Sequence, residues 1–415
     1  MRLLVVTQYF WPEAFIINDL VRTLRDQGHT VTVATGKPNY PEGRVFEGYT
    51  ADGTQHEKFD STIDVFRVPL RPRGNRGGLN LFRNYLSFVW SGLRWFPGLL
   101  RGVRADVILV FAPSPIIAAI TALPLKWLKR AHLAIWVQDL WPESLAATGH
   151  VRNRALLGIV GWCVRGIYWG ADTLLVQSRA FTGPVSRYGS AAKIVYYPNS
   201  LSIDAQTGRG EAKLPADAEA AFARDFCVVF AGNIGSVQAI PTLIEAACLL
   251  RDTPGVRLVV IGSGSMAEWV RERRRALGLE NLLLVDRLPM SMMPSVYRRA
   301  GALLVSLKND PILAQTVPSK VQAYLAAGRP IIAALPGEGA RLLTETGAGL
   351  TCPPEDAAAL AESIRAMAGL PASARDAMGR AALAYFAEHF EMGRQATQLV
   401  ELLERRTAAT GRGDA

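Results

Sequence analysis

Short apolar runs alternate along this chain with segments whose apolar positions recur at i, i+3 and i+4, the pattern of strands and helices that builds a mainly parallel sheet covered on both faces. Residues 2–7 read as a strand, residues 18–27 as an amphipathic helix with Leu20, Val21 and Leu24 inward, and Gly28-His29 as the turn into a strand over 30–35. That is a βαβ opening. Further strands are predicted over 64–70, 106–111, 132–137, 173–177 and 194–197, with a short apolar helix over 116–125 capped by Ser114 and started by Pro115. Residues 200–221 are polar and rich in Gly, Asp and Ala, the composition of a linker. The strand and helix alternation then restarts: strand 226–230, the turn AGNIGSVQ, helix 240–250, strand 257–261, the turn GSGS over 262–265, and strand 282–286. Residues 373–406 are helical and amphipathic, and 407–415 read as a disordered tail. The pattern predicts an α/β chain of two Rossmann-like, doubly wound domains, residues 1–200 and 222–385.

Composition adds a compartment and a partner. With 415 residues and 49% hydrophobic content the chain can bury two cores. Cys163, Cys227, Cys248 and Cys352 are far apart and match no metal-ligand spacing, so they read as free thiols in a reducing cytosol. The first residues form a strand rather than a signal peptide, so the mature chain is expected to begin at Met1. Residues 1–200 hold 23 Lys and Arg against 13 Asp and Glu, and the totals of 46 and 36 leave 23 against 23 for the remainder. The whole net charge of +10 thus lies in the first half, which implies an anionic partner: a membrane surface, a pyrophosphate-bearing acceptor or nucleic acid. Residues 71–104 sharpen this. They carry seven arginines (Arg71, Arg73, Arg76, Arg83, Arg94, Arg101 and Arg104) and no acid, interleaved with Phe82, Trp90, Trp95 and Phe96. Such a stretch is too polar to span a bilayer and suits the headgroup region of an anionic membrane. A helix packed on its domain with a solvated basic face is the alternative.

Residues 309–339 carry the candidate chemistry. Pro318 suits a first helical position, Val321, Tyr324 and Leu325 form an apolar stripe, and Gly328 closes the helix before a strand over 330–335. Ser319 and Lys320 fall in the first turn, where free N–H groups and the helix dipole favour an anion. A lysine is out of place there unless an anionic ligand offsets it. Gly232, Asn233, Gly235 and Gln238 in one glycine turn, and Gly262 and Gly264 in the next, let phosphate oxygens approach the backbone. Either turn alone is weak, and Gly262-x-Gly264 without the rest of a dinucleotide fingerprint does not argue for NAD.

The order strand, Lys308, Pro-Ser-Lys helix, Gly328, strand resembles the nucleotide-sugar site of the family 4 retaining glycosyltransferases, and the segment GAGLTCPPEDAAALAESI over 347–364 continues the likeness. Within that family the chain looks most like the WbuB-like L-fucosamine transferases of bacterial surface-polysaccharide assembly, which share the piece DLWPES. The resemblance implies a GT-B fold, two Rossmann-like domains facing a cleft, with a terminal helix over 386–406 crossing back to the first domain. It also implies a UDP-sugar co-substrate, an N-acetylated deoxyhexosamine such as L-FucNAc as the transferred sugar, and a polyprenyl-pyrophosphate-linked acceptor for O-antigen or related polysaccharide. The place of work would be the inner face of the cytoplasmic membrane, with no role for nucleic acid.

On this reading Lys308 and Lys320 stabilise the departing diphosphate, with Arg287 as a third cation and Pro318, Ser319 and the Gly235 turn assisting. No Asp-x-Asp stands at a strand end, and Asp217-x-Glu219 falls in the linker, so no metal and no cofactor are expected. The loop Tyr9 to Asn18 would face the acceptor with Glu13 and Asn18, and Asp139 or Glu143 would orient its hydroxyl. Glu13 reads equally as a first-turn acid on the following helix, and Asp139 as the cap of the next turn. The chain departs from the family at four positions: Gln315 and Ala323 stand where a glutamate pair would fall, and Asn233 and Gln238 where an arginine and a lysine would. Gln315, Asn233 and Gln238 offer neutral hydrogen bonds instead. A UDP-sugar 2-epimerase and an inactive sugar-nucleotide-binding protein share the fold and remain as alternatives.

Overall fold

Among the described residues, fourteen strands form two sheets, with β1 Arg2–Thr7, β2 Thr30–Gly36, β3 Gln55–Phe59, β4 Ile63–Val68, β5 Val107–Ala112, β6 His132–Val137, β7 Thr173–Val176 and β8 Ile194–Tyr196 in the first. The second holds β9 Phe226–Asn233, β10 Val256–Ser263, β11 Leu282–Val285, β12 Ala302–Ser306, β13 Ile331–Ala334 and β14 Gly349–Cys352. The computed structural model describes residues 1–74, 78–147, 153–202 and 214–409. Arg76 of the basic stretch, residues 203–213 of the expected linker and residues 410–415 of the expected disordered tail lie outside the described residues.

The first unit comprises Met1–Asn199 and the helix Met392–Ala409. Its strand order is β3-β4-β2-β1-β5-β6-β7-β8, parallel except for the β3–β4 hairpin. Strands β5 (VILVFA) and β6 (HLAIWV) are buried along their whole length, which is why they are near-continuous apolar runs rather than alternating ones. Alternate residues feed two cores, Leu4 and Val6 to one face of the sheet, Leu3 and Val5 to the other. On the second face Met392, Ala396, Leu399 and Leu403 of the terminal helix pack with Leu20, Val21 and Leu24 of helix Ile16–Asp26.

The second unit is Ser200–Glu391, with the all-parallel order β11-β10-β9-β12-β13-β14. Renumbered from its first strand this is 3-2-1-4-5-6, the dinucleotide-domain order, whose chain reversal between β9 and β12 opens a crevice at the strand carboxyl ends. Both units are Rossmann-like, the GT-B pair of domains.

Several boundaries differ from the sequence-based expectation. The linker is shorter, because Ala216–Arg224 is a helix that buries Ala218 and Ala221, preceded by buried Leu214. Glu219 is not a solvated linker acid: it takes Arg299 and the Leu214 N–H, and the Arg299 guanidinium holds its carboxyl well below the usual range. The 386–406 helix is two helices, Ala372–His389 and Met392–Ala409, broken where fully buried Phe390 enters the second core. Residues 386–391 therefore belong with the second unit. The segment over 116–125 opens as a 3-10 turn, Ile116–Thr121, before helix Ala122–Lys129, and Ser114 makes no cap there. The hairpin strand β3 departs from the pattern, since QHEKF is too polar to read as a strand.

Where β9 and β10 end side by side, Gly232 and Gly262 are register partners, both with positive φ (+132° and +149°). A Cβ on Gly262 would lie 1.8 Å from the Gly232 carbonyl oxygen. Gly262→Ala is expected to destabilise by about 3 kcal/mol or more, since rigid backbone must move as well as adopt a disfavoured φ. Gly278→Ala, at φ +60° with open space around it, should cost only about 1–2 kcal/mol. Urea denaturation of the two variants measures the difference.

Candidate functional site

A cleft of ≈ 500 Å³ lies in the second unit at the carboxyl ends of β9 and β10. Gly232 and Asn233 come from β9, Gly262 and Ser263 from β10, Arg287 from the loop after β11, and Ser319, Lys320 and Ala323 from helix Ser319–Ala327. The helix starts one residue later than expected: Pro318 is its extended N-cap rather than its first helical residue, and no side chain caps it. Gly328 ends it in the left-handed region, as the sequence predicts.

Lys320 is the distinctive group. Its Nζ is buried, has no hydrogen-bond partner, and sits 3.8 Å from the centre of the Phe230 ring. Burial pushes its amine down to about 8. It reaches this position because Gly232 has no side chain, for a Cβ there would stand 2.6 Å from Lys320 Cε. A buried cation facing only an aromatic ring is poorly compensated. An anion entering the cleft supplies the missing charge and returns the amine to its protonated form.

The cleft brings together Gly232, Asn233, Gly262, Arg287, Ser319 and Lys320, and leaves the other expected donor residues outside its lining. Lys308 is exposed beyond β12, its N–H donating to the Val237 carbonyl (2.9 Å). Gln238 accepts from Asn233 Nδ2 (3.3 Å), and a Cβ on Gly235 would press on both side chains, so Gly235 and Gln238 support Asn233 from behind. Gly264 lies against the Ile234 carbonyl. Gln315 donates to Pro311 O (3.1 Å), while its Oε1 is buried without a partner. Ala323 lines the cleft with a methyl group where the family glutamate would project. Sequence reasoning missed the apolar wall of Leu288, Met290, Met293 and Tyr297. The methionine-rich run MSMM was its signal.

The acceptor-side candidates sit at the carboxyl edge of the first sheet. Glu13 is neither exposed nor in the first turn of helix Ile16–Asp26: its carboxylate accepts from the N–H groups of Phe10 (3.1 Å), Asn39 (2.8 Å) and Tyr40 (2.7 Å). It ties the loop after β1 to the loop after β2. Burial raises its carboxyl to about 7 against the pull of those three bonds. Asn18 donates to Glu13 O (2.7 Å) and accepts from Trp11 N–H (3.1 Å), fixing the same loop. Asp139 accepts from the Ser144 hydroxyl, a local turn bond of the capping kind. Glu143 opens the short helix Glu143–Ala147 and lies 3.9 Å from Arg187. Among the described residues no group of three or more His, Cys, Asp and Glu side chains is placed to hold a metal ion.

Two Rossmann-like units, one with a desolvated lysine at a helix start beside glycine strand ends, are the architecture of the GT-B fold. Comparison with known proteins agrees. The chain carries a glycosyl transferase 4-like domain over residues 14–200 and a glycosyl transferases group 1 domain over 225–369, and is therefore a glycosyltransferase. It is 26% identical over 392 residues to WcaI of Escherichia coli (strain K12), whose name places it as a glycosyl transferase of colanic acid biosynthesis, covering 89% of this chain and 93% of the relative. It is 25% identical over 318 residues to WbjE of Pseudomonas aeruginosa, named as a glycosyltransferase, covering 75% and 78%. Among solved structures, Anabaena HepE in complex with UDP superposes with a TM-score of 0.66 at 14% identity, covering 98% of this chain and 100% of that one. Sucrose-phosphate synthase from Thermosynechococcus elongatus gives 0.71 at 16%, covering 98% and 99%.

Lys320→Met tests the uncompensated charge. The folded amine lies near 8, below its ordinary 10.5. The unfolded state then binds more protons between those values, so stability from this group rises with pH across the window and the penalty is full below it. The variant should melt about 2–5 °C above wild type at pH 7 in the absence of nucleotide, with the gap closing toward pH ~10.5. Scanning calorimetry over that range measures it.

Proposed function

We propose that this protein transfers a sugar, an N-acetylated deoxyhexosamine such as L-FucNAc, from its UDP-sugar to a polyprenyl-pyrophosphate-linked acceptor in bacterial surface-polysaccharide biosynthesis, with retention of configuration and without a metal ion. The observation that carries the reading is Lys320, held partnerless in the second-unit cleft with Arg287. As the bond from the anomeric carbon to the phosphate oxygen breaks, its electron pair goes to the departing UDP. Lys320, Arg287 and the start of helix Ser319–Ala327 meet that growing charge. The acceptor hydroxyl forms the new bond on the face the UDP leaves and passes its proton to the departing phosphate oxygen, the stereochemistry being that of the family that the Pro-Ser-Lys segment resembles.

The names of the relatives support the polysaccharide setting, and the UDP complex of HepE supports a uridine nucleotide. The WbuB-like resemblance of DLWPES and of the Pro-Ser-Lys segment supports the fucosamine class. Neutral Asn233 and Ala323 in the cleft lining leave fewer charged groups to clasp sugar hydroxyls, which suits a deoxy, N-acetylated sugar. The basic, acid-free run over 71–104 supports work at an anionic membrane surface, the inner face of the cytoplasmic membrane.

Radiolabelled UDP-FucNAc incubated with a lipid-linked acceptor should yield labelled lipid, with activity surviving EDTA and NMR showing the retained anomer. Loss in EDTA restored by Mg2+ or Mn2+ sinks metal independence, and an inverted product sinks retention. Nucleotide binding without turnover marks a binding protein, and release of a 2-epimeric sugar marks an epimerase. Lys320→Ala and Arg287→Ala should each cost on the order of 2–4 kcal/mol in transition-state stabilisation, as loss of a positioned electrostatic group does. Lys308→Ala, outside the cleft lining, should cost less than either.

A further inference from the structure

One face of the first sheet is covered by three neighbouring helical segments: Gly78–Leu99, the run from Ile116 through helix Ala122–Lys129, and Arg154–Gly170. They form a continuous layer. Phe88 and Phe96 of the first, Leu125 of the second and Val164 and Ile167 of the third enter the same core, so Phe96 is not available for membrane insertion, as the sequence alone suggests, but fully buried. The middle segment joins the outer two. Gly92 lies so close to Thr121 that a Cβ would come within 2.5 Å of its methyl group, and Lys126 Nζ donates to Gly170 O (2.8 Å).

The outward side of this layer is apolar where a solvated helix face would be polar. Trp90, Trp127, Trp162 and Trp169 are 75%, 72%, 79% and 80% exposed, and Leu79, Phe82, Ile159 and Leu128 lie open beside them. Large apolar side chains gathered on one helical layer and left in water mark an interaction surface. The three segments contain no aspartate or glutamate, and the exposed charges on and beside them, Arg83, Arg94, Arg101, Arg104, Arg154 and Arg165, are all positive. Arg94 stacks its guanidinium 4.6 Å from the Trp95 ring, keeping a cation at the level of an indole. Among the described residues no helix is long and apolar enough to cross a membrane.

We propose that this three-helix face inserts into the headgroup and upper acyl region of an anionic bilayer leaflet, with Trp90, Trp127, Trp162 and Trp169 as the apolar anchors and the arginines on lipid phosphates. Indoles paired with arginines and no acid match the interface of an anionic leaflet. A second copy of the chain meeting this face through a two-fold would set arginine against arginine, a like-charge contact that opposes association. The inference deepens the lipid-linked reading of the acceptor, on which it rests, and places the most exposed tryptophans of the anchoring surface on Arg154–Gly170.

The test is co-sedimentation of the full chain with phosphatidylcholine vesicles with and without phosphatidylglycerol, at low and high salt. Wild type should bind the phosphatidylglycerol vesicles and keep part of that binding in high salt. The variant Arg83→Glu/Arg94→Glu/Arg101→Glu should lose the salt-sensitive part, and Trp90→Gln/Trp162→Gln/Trp169→Gln should lose the salt-resistant part by roughly tenfold or more, since buried apolar area sets it. Both should keep wild-type UDP binding by calorimetry and wild-type melting temperature, and Trp162→Gln alone replaces the triple variant if that one unfolds. Wild-type failure to sediment, undiminished high-salt binding by the tryptophan variant, or a solution dimer dissolved by the tryptophan changes would overturn the proposal. Vesicle binding without sugar transfer would count against the proposed reaction and leave the face intact. Transfer to a detergent-dispersed acceptor without vesicle binding would do the reverse.

Discussion

The second unit turns on the absence of two side chains. Strands β9 and β10 run in register to Gly232 and Gly262, and no Cβ fits between the Gly262 α-carbon and the Gly232 carbonyl. Bare backbone at that point does two things at once. It lets the strand ends turn through φ values that favour glycine, and it leaves the space that the aliphatic stem of Lys320 occupies on its way to the Phe230 ring. A side chain at position 232 would evict the cation, and one at 262 would spread the strands that floor the cleft. The chemistry and the sheet therefore share one steric requirement.

The first unit meets a different constraint, the need to hold long loops at the carboxyl edge of its sheet without covering that edge. It uses buried charge as a staple. Arg67, fully buried on β4, pairs with Glu57 of β3 (2.5 Å) and donates to Gly36 O (3.0 Å) and to Trp11 O. Glu13 then gathers three N–H groups from the loops after β1 and β2. Each staple satisfies backbone groups that would otherwise be buried unpaired, which is the condition on which such charges are tolerated. The raised carboxyl of Glu13 shows that burial outweighs the bonds, so this loop is less firmly held as pH climbs from the ordinary carboxylate range toward about 7.

Much of this was legible in the sequence because it depends on local pattern. Strands β1 and β6 fall where their apolar runs predict, and Gly328 closes its helix because only a left-handed residue can. Lys320 is legible from the chain alone, because a cation in a first helical turn implies a compensating anion. What failed depends on pairing across space. The polar strand β3 exists because β4 offers it an edge, with Gln55 and Glu57 serving Lys37 and Arg67. Lys308 and Lys320 look alike in sequence, yet one is exposed and the other is buried against an aromatic ring on another strand. Glu13 reads as an acceptor-facing or first-turn acid until the loop N–H groups that occupy it are seen, whereas the local Ser144 bond of Asp139 matches the turn-cap reading of the sequence.

The two units also divide the energetic work. Lys320 is held in a state that costs the free protein stability, because water has been removed and no counter-charge put back. An anion bound beside the amine recovers that cost, so strain present in the free protein adds to the affinity for such a ligand, a form of preorganisation that trades stability for function. The exposed tryptophans of the first unit obey the same logic with a different partner: apolar surface left in water is unfavourable until a low-dielectric phase covers it. In each unit the feature that looks like a defect in the isolated chain names the chemistry of what completes it, an anion for the buried amine and an anionic, partly apolar surface for the open indoles.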